Sequence, residues 1–109
     1  MKVYAIFAND HTKGTTQKLF NQTVQKLCTL GHEVDILNLY DRKSEIPFFH
    51  HDRSFMESNT FYQENKQRFL NADALLLVFP LYWYSVPAIM KSWIDLINAW
   101  AYKYESGTT

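Results

Sequence analysis

Tyr82, Trp83 and Tyr84 stand in a row between an apolar run and an amphipathic one. Loops normally carry small polar residues, so three adjacent aromatics there call for an explanation in chemistry. The run before them, Asp73–Phe79, is apolar after its aspartate and reads as a strand buried on both faces. After them Pro87, whose fixed φ suits a first helical turn, opens an amphipathic helical pattern. Loops at the carboxyl ends of parallel strands are where open α/β sheets take ligands. Pro80, Leu81, Tyr82, Trp83 and Tyr84 thus predict a site for a flat, partly apolar ligand such as a flavin ring.

A second candidate lies near the start of the chain. The polar loop Asn9-Asp10-His11-Thr12-Lys13-Gly14 leads into a helix that Thr15 or Thr16 is placed to cap. A helix start with a nearby lysine suits a phosphate, through Thr15, Thr16, main-chain amides and the Lys13 charge. Other reactive side chains read as ordinary. His50 and His51 are adjacent in a loop with no third ligand nearby, which predicts a surface pair and no metal site. Cys28 has no partner for an internal disulfide and reads as a helix-core cysteine in a reducing cytoplasm. Phe48 and Phe49 read as a loop anchor on the core.

The elements that must position these residues alternate. Val3–Phe7 reads as a first strand. Leu19, Phe20, Val24, Leu27 and Leu30 recur at helical spacing, and Gly31 is placed to end that helix in a left-handed conformation. Val34, Ile36 and Leu37 give a second strand ending near Leu39. The stretch from Tyr40 to Met56 is polar and irregular. Ser58 or Asn59 then caps a helix with Phe61, Tyr62, Phe69 and Leu70 on one side. The strand 73–79 follows, and after the aromatic loop a last helix carries Ile89, Met90, Trp93, Ile94, Ile97, Trp100 and Ala101 as a broad stripe, with Lys91 and Asp95 paired opposite. This βαβ grammar predicts parallel strands with right-handed crossovers. If the spatial order starts 2-1-3, the loops 8–16 and 80–86 meet at the switch point, one suited to a phosphate and the other to a ring.

Composition narrows the class. The chain has 109 residues, 47% hydrophobic and 17% aromatic, enough for one folded α/β domain. Its 11 basic and 11 acidic residues leave no basic excess for a nucleic-acid or anionic-membrane surface. No apolar stretch is long enough for a membrane span or a signal-peptide core.

The segment from Phe79 to Asp95, Phe-Pro-Leu-Tyr-Trp-Tyr-Ser-Val-Pro-Ala-Ile-Met-Lys-Ser-Trp-Ile-Asp, closely resembles the corresponding segment of the flavodoxin-like NAD(P)H:quinone oxidoreductases. That family includes drug-activity modulators and the ancillary proteins of potassium efflux. Ala101-Tyr102-Lys103-Tyr104 is similar to a second family segment. The resemblance implies a doubly wound parallel sheet, here truncated to three strands in order 2-1-3 with flanking helices. It implies FMN or FAD as cofactor and NAD(P)H as electron donor, with main-chain groups of Leu81, Tyr82, Trp83 and Tyr84 holding the ring. Tyr102 and Tyr104 would line a quinone pocket across a homodimer. Asn9 stands where relatives have a histidine, and His11 is placed to compensate.

Relatives continue through two more strands and a glycine-rich loop, so the chain is expected to correspond to the amino-terminal part of a single longer domain. An uncovered edge on the third strand then predicts association and marginal stability. The expected activity is hydride transfer from NAD(P)H through the flavin to a quinone-type acceptor, with no side chain singled out as strictly catalytic. The alternatives are a non-catalytic ancillary subunit of the efflux type, or an inactive fragment.

Overall fold

The computed structural model describes residues 1–10 and 13–99. Lys2–Phe7 forms β1, Thr15–Thr29 α1 and Glu33–Asn38 β2. A 3-10 segment, Leu39–Glu45, leads to the short α2 at Arg53–Ser58, then α3 at Thr60–Asn71. Ala74–Val78 forms β3 and Ala88–Ala99 forms α4. The sheet order is β2-β1-β3, with both pairings parallel. Phe7 sits level with Asn38 on one side and Val78 on the other, so all three strands end together. The expected 2-1-3 order is the one observed.

Alternation along β1 divides the core. Ala5 and Phe7 face α1, where Phe7 stacks on Phe20 at 4.4 Å and Val78, Val24 and Leu76 fill in around them. Tyr4 and Ile6 face the opposite way, into a larger core built from Leu37, Leu39, Phe61, Tyr62, Met90, Trp93, Leu96 and Ile97. At its centre is a buried asparagine. The Asn65 side-chain oxygen accepts from the Tyr4 hydroxyl and, at 3.1 Å, from the Trp93 indole N–H, while its amide donates to the Phe61 carbonyl at 3.0 Å. Four polar groups thereby satisfy one another away from water, the condition under which burying them is tolerable. Burial pushes the Tyr4 phenol well above its ordinary 10.0, against the pull of Arg68.

Arg68 locks α3 to β2. It donates to both Asp35 oxygens at 2.7 and 2.9 Å, to Glu64 at 3.0 Å and to the Ile36 carbonyl at 3.1 Å, and its guanidinium lies over the Tyr4 ring. Arg42 grips Glu64 from the other side with two bonds of 2.9 Å and holds Glu45 at 2.6 Å. These ties order part of a region that reads as irregular in sequence. The other part, α2, starts where the Asp52 side chain accepts from the Ser54 N–H at 2.9 Å.

Several expectations hold. Asn59 caps α3, accepting from the Tyr62 N–H at 2.8 Å. Gly31, at φ 89°, ends α1 with paired bonds from Gly31 to the Cys28 carbonyl and from His32 to the Leu27 carbonyl. Lys91 pairs with Asp95 at 2.6 Å. Others are corrected. The N-cap of α1 is Gly14, with Thr15 and Thr16 inside the helix. Leu19 and Leu30 are exposed and Cys28 is exposed too, because the side of α1 that meets the sheet is carried by Phe20 and Val24. Phe49 packs against the core but Phe48 is 83% exposed, so one ring of the pair anchors the loop. β3 is not buried on both faces: Val78 alone is fully buried, and Leu75 is exposed.

Candidate functional site

The carboxyl ends of β1 and β3 are neighbours, and the Ala8 N–H ties them by donating to the Val78 carbonyl at 3.1 Å. The two candidate loops therefore leave the sheet side by side, at the point where the strand order reverses. Beyond Val78 the chain passes Phe79 and Pro80, both half-buried, and then turns sharply. The Tyr82 N–H donates to the Ser85 carbonyl at 3.0 Å and the Ser85 N–H to the Tyr82 carbonyl at 3.1 Å. Between them Trp83 has φ 52° and Tyr84 φ 65°. Positive φ at both central residues of a two-residue turn is type I′ geometry, normally made by Asn-Gly or Gly-Gly. Bulky residues pay steric strain to adopt it.

Packing does not repay that strain. Trp83 is 94% and Tyr84 99% exposed, and Leu81 and Tyr82 are exposed beside them. The turn is anchored from below instead. Val86 packs on the core, Pro87 is buried, and the Pro87 carbonyl accepts from Met90 and Lys91 to start α4. Two flat rings and a reversed stretch of main chain are thus held out over the end of the sheet.

On the β1 side, Asn9 is buried and Asp10 is exposed. Gly14 opens α1 at φ 128°, and a Cβ there would meet no atom, so the need for glycine is conformational. Among the described residues no side chain caps α1, and no acidic residue stands in its first turn. Thr15 is exposed and Thr16 half-buried, and Lys13, just before the helix, is exposed. Such an end suits an anion, and the aromatic turn suits a ring. The residues present fit a flavin nucleotide.

His11 lies outside the described residues, as do Tyr102 and Tyr104 and, from the last helix's stripe, Trp100 and Ala101. Among the described residues no group of three or more His, Cys, Asp or Glu is placed to hold a metal ion, and no helix is long and apolar enough to cross a membrane. His50 and His51 are both exposed: His50 packs near Phe55 and its ring accepts from the Asp52 N–H at 3.0 Å, while His51 meets Phe49 edge-on.

One residue here has no sequence motif to announce it. Tyr40 follows β2 at the same end of the sheet, half-buried against the larger core, its N–H bonded to the Asn38 side chain at 3.2 Å. Burial, then the charges of Tyr82 and Asp10, raise its phenol above the ordinary 10.0. The only signal available in sequence was position, since Tyr40 lies just past the end of a parallel strand.

The sequence model of a family described as having a flavodoxin-like fold matches residues 1–109. Over 126 aligned residues the chain is 29% identical to a ribosyldihydronicotinamide dehydrogenase-like protein of Penicillium crustosum, covering 98% of this chain and 47% of that protein. It is 28% identical to the human ribosyldihydronicotinamide dehydrogenase [quinone], covering 95% of this chain and 54% of the relative. Among solved structures, a putative quinone reductase from Klebsiella pneumoniae superposes with a TM-score of 0.77 at 29% identity, over 93% of this chain and 46% of that one. The NAD(P)H:quinone oxidoreductase from Methanothermobacter marburgensis gives 0.80 at 25% identity, over 94% and 55%. The chain spans about half the length of the curated relatives it matches.

Proposed function

This chain belongs to the flavodoxin-like fold family, and from that premise we propose that it holds FMN or FAD at the carboxyl end of its sheet and serves NAD(P)H-dependent reduction of a quinone-type acceptor. The observation that carries the reading is the Tyr82–Ser85 turn: two consecutive bulky aromatics on left-handed backbone, almost wholly exposed, beside a helix start that no side chain caps among the described residues. Strain without packing gain marks a place shaped for something other than folding. Relatives named as quinone reductases supply the reaction class.

Each part of the site has a task in this reading. The N–H groups of Thr15 and Thr16, with Lys13, hold the phosphate. Main-chain groups of Leu81, Tyr82, Trp83 and Tyr84 meet the polar edge of the ring, while Pro80 and the aromatic side chains exclude water from it. Asn9 and His11 border the phosphate loop. Tyr102 and Tyr104 line the acceptor side, in a pocket completed by a second copy. The flavin supplies the hydride chemistry once bound, and the protein supplies orientation and electrostatics. The setting we propose is the cytoplasm.

The test is a titration of the purified chain with FMN and with FAD, followed by the fluorescence of each. Saturable quenching at one site per chain is expected, accompanied by quinone-dependent oxidation of NADH or NADPH. If neither flavin is taken up, the reading is wrong for this chain.

A further inference from the structure

The 3-10 segment Leu39–Glu45 is fixed along its length. At its start the Asn38 side chain accepts from the Tyr40 N–H, farther on Arg42 holds Glu64 of α3 through two bonds of 2.9 Å, and the segment packs directly on α4. Helix α4 begins just after the Tyr82–Ser85 turn, with Pro87 as its buried foot. Tyr40 packs on the same core as Phe79 and Val86, which flank the turn, and as Ile89 of α4. A firmly held platform on the β2 side therefore shares its footing with the turn.

Within the loop the aromatic side chains differ. Trp83 and Tyr84 stand in water, whereas Tyr82 is 41% exposed, so its ring is turned back toward the protein. Because Phe7 is level with Asn38 and with Val78, residues just past β2 and just past β3 reach the same end of the sheet. Tyr40 and Tyr82 follow the strands on either side of β1 there. The charge of Tyr82 also contributes, after burial, to raising the Tyr40 phenol.

Resting on the proposed function, we propose that Tyr40 is a positioning residue of the ring site: its ring supports Tyr82 from the β2 side and so fixes how the strained turn presents its main chain. The turn needs a support of this kind. Left-handed backbone at two bulky residues persists only where the surroundings over-determine it, and the exposed side chains of Trp83 and Tyr84 supply no such restraint. The restraint must enter at the ends of the turn. Tyr82 bonds Ser85 through both its N–H and its carbonyl, so holding Tyr82 holds the whole turn. Tyr40 acts through Tyr82 in this role and does not touch the flavin.

The test is a flavin-quenching titration of the full chain, Tyr40→Leu, Tyr82→Ala and the double variant. Tyr40→Leu, which keeps an apolar side chain on the core, should weaken binding about fivefold, within the coupling shown by residues that share a contact. In the Tyr82→Ala background the same substitution should cost nothing further, and Tyr40→Phe should bind like the unaltered chain. Equal losses in both backgrounds mean a general structural role and overturn the proposal. Undiminished binding in Tyr40→Leu overturns it too, as does a loss in Tyr40→Phe that matches Tyr40→Leu. If the unaltered chain takes up no flavin, the proposed function fails first, and the support is read without ligand. The aromatic NMR signals of Tyr40 should then move in Tyr82→Ala and stay in place in Trp83→Ala; any other pattern overturns the support itself. The same signals decide if circular dichroism shows Tyr40→Leu unfolded.

Discussion

Trp93 and Trp83 flank the same short stretch of chain and live in opposite surroundings. Trp93 is 1% exposed, its indole N–H satisfied by Asn65 at 3.1 Å and its ring edge-on to Tyr4 at 6.1 Å. Trp83 is 94% exposed on backbone at φ 52°. The first removes a large apolar surface from water with its polar tip paired, which is what an aromatic contributes to a fold. The second leaves its ring in water and strains the main chain. Residue type is the same; what differs is which free energy the residue serves. The buried cluster of Tyr4, Asn65 and Trp93 is accounted for by folding alone, whereas the exposed turn is the part that the proposed function assigns to a ligand.

The largest expected effect removes the buried member. Trp93→Ala should destabilise the fold by about 3–5 kcal/mol, through lost transfer free energy and the cavity left behind. Against a typical stability of about 5–15 kcal/mol for a whole domain, that is enough to leave a small one partly unfolded at room temperature. Urea unfolding followed by far-ultraviolet circular dichroism measures it. Trp83→Ala under the same conditions should cost almost nothing. Equal losses would erase the distinction between the two tryptophans.

Asn65→Leu keeps the volume and deletes the hub. Two buried donors, the Tyr4 hydroxyl and the Trp93 N–H, would then lack their acceptor, at a cost of about 2 kcal/mol. The Trp93 contribution to the emission spectrum should shift with the change in its surroundings. A neutral outcome would mean the network is incidental to the packing around it.

How far these features were legible depends on where the information sits. The strand order and the switch-point loops could be read because hydrophobic period and turn residues are local signals, and local signals agreed with the fold. Asn65 could not, since it is one polar residue in a mostly polar helix. It becomes a hub only when α3 meets Tyr4 and Trp93 from distant parts of the chain. The exposure of Leu19 and Cys28 likewise depends on which side of α1 meets the sheet, which α1's own period does not encode. The 3-10 segment and α2 are short, and ion pairs from Arg42 to Glu45 and Glu64 and the Asp52 cap stabilise them more than any periodic stripe does. The aromatic loop was conspicuous in sequence as a ligand site, but its left-handed backbone was not. Trp and Tyr carry no preference for that region, so only the structure reveals the strain.

That strain can be relieved by design. Replacing Trp83 and Tyr84 together by Asn and Gly installs the residues a type I′ turn favours. The chain should gain about 1–2 kcal/mol in stability as the left-handed backbone becomes unstrained. Under the proposed function it should at the same time lose most of its flavin quenching, because the ring walls are gone. A gain in stability with unchanged binding would show that the main chain alone makes the site. A loss of stability would mean the exposed rings do support the fold, and the comparison with Trp93 would fail.

The smallest effect is electrostatic and belongs wholly to the buried end. Hydrogen bonds from Arg42, then from Arg68, draw the Glu64 carboxyl from its ordinary 4.5 down to about 2, against a desolvation that works the other way. A depressed folded-state pKa means the folded state favours the ionised form. Its contribution is therefore complete above about 4.5 and is lost as pH falls toward 2. Glu64 is 37% exposed, so solvent screening reduces that contribution to about 1 kcal/mol or less. The melting temperature should fall over this acid window, and Glu64→Gln should flatten part of the fall. Glu45, lowered by the same Arg42, keeps the remainder. Since Arg68 and Arg42 also lie over the Tyr4 and Phe61 rings, acid should disturb the buried aromatics first. Trp93 emission should thus respond across the window while Trp83, already in water, does not; an unchanged slope in Glu64→Gln would detach these ion pairs from the stability of the core.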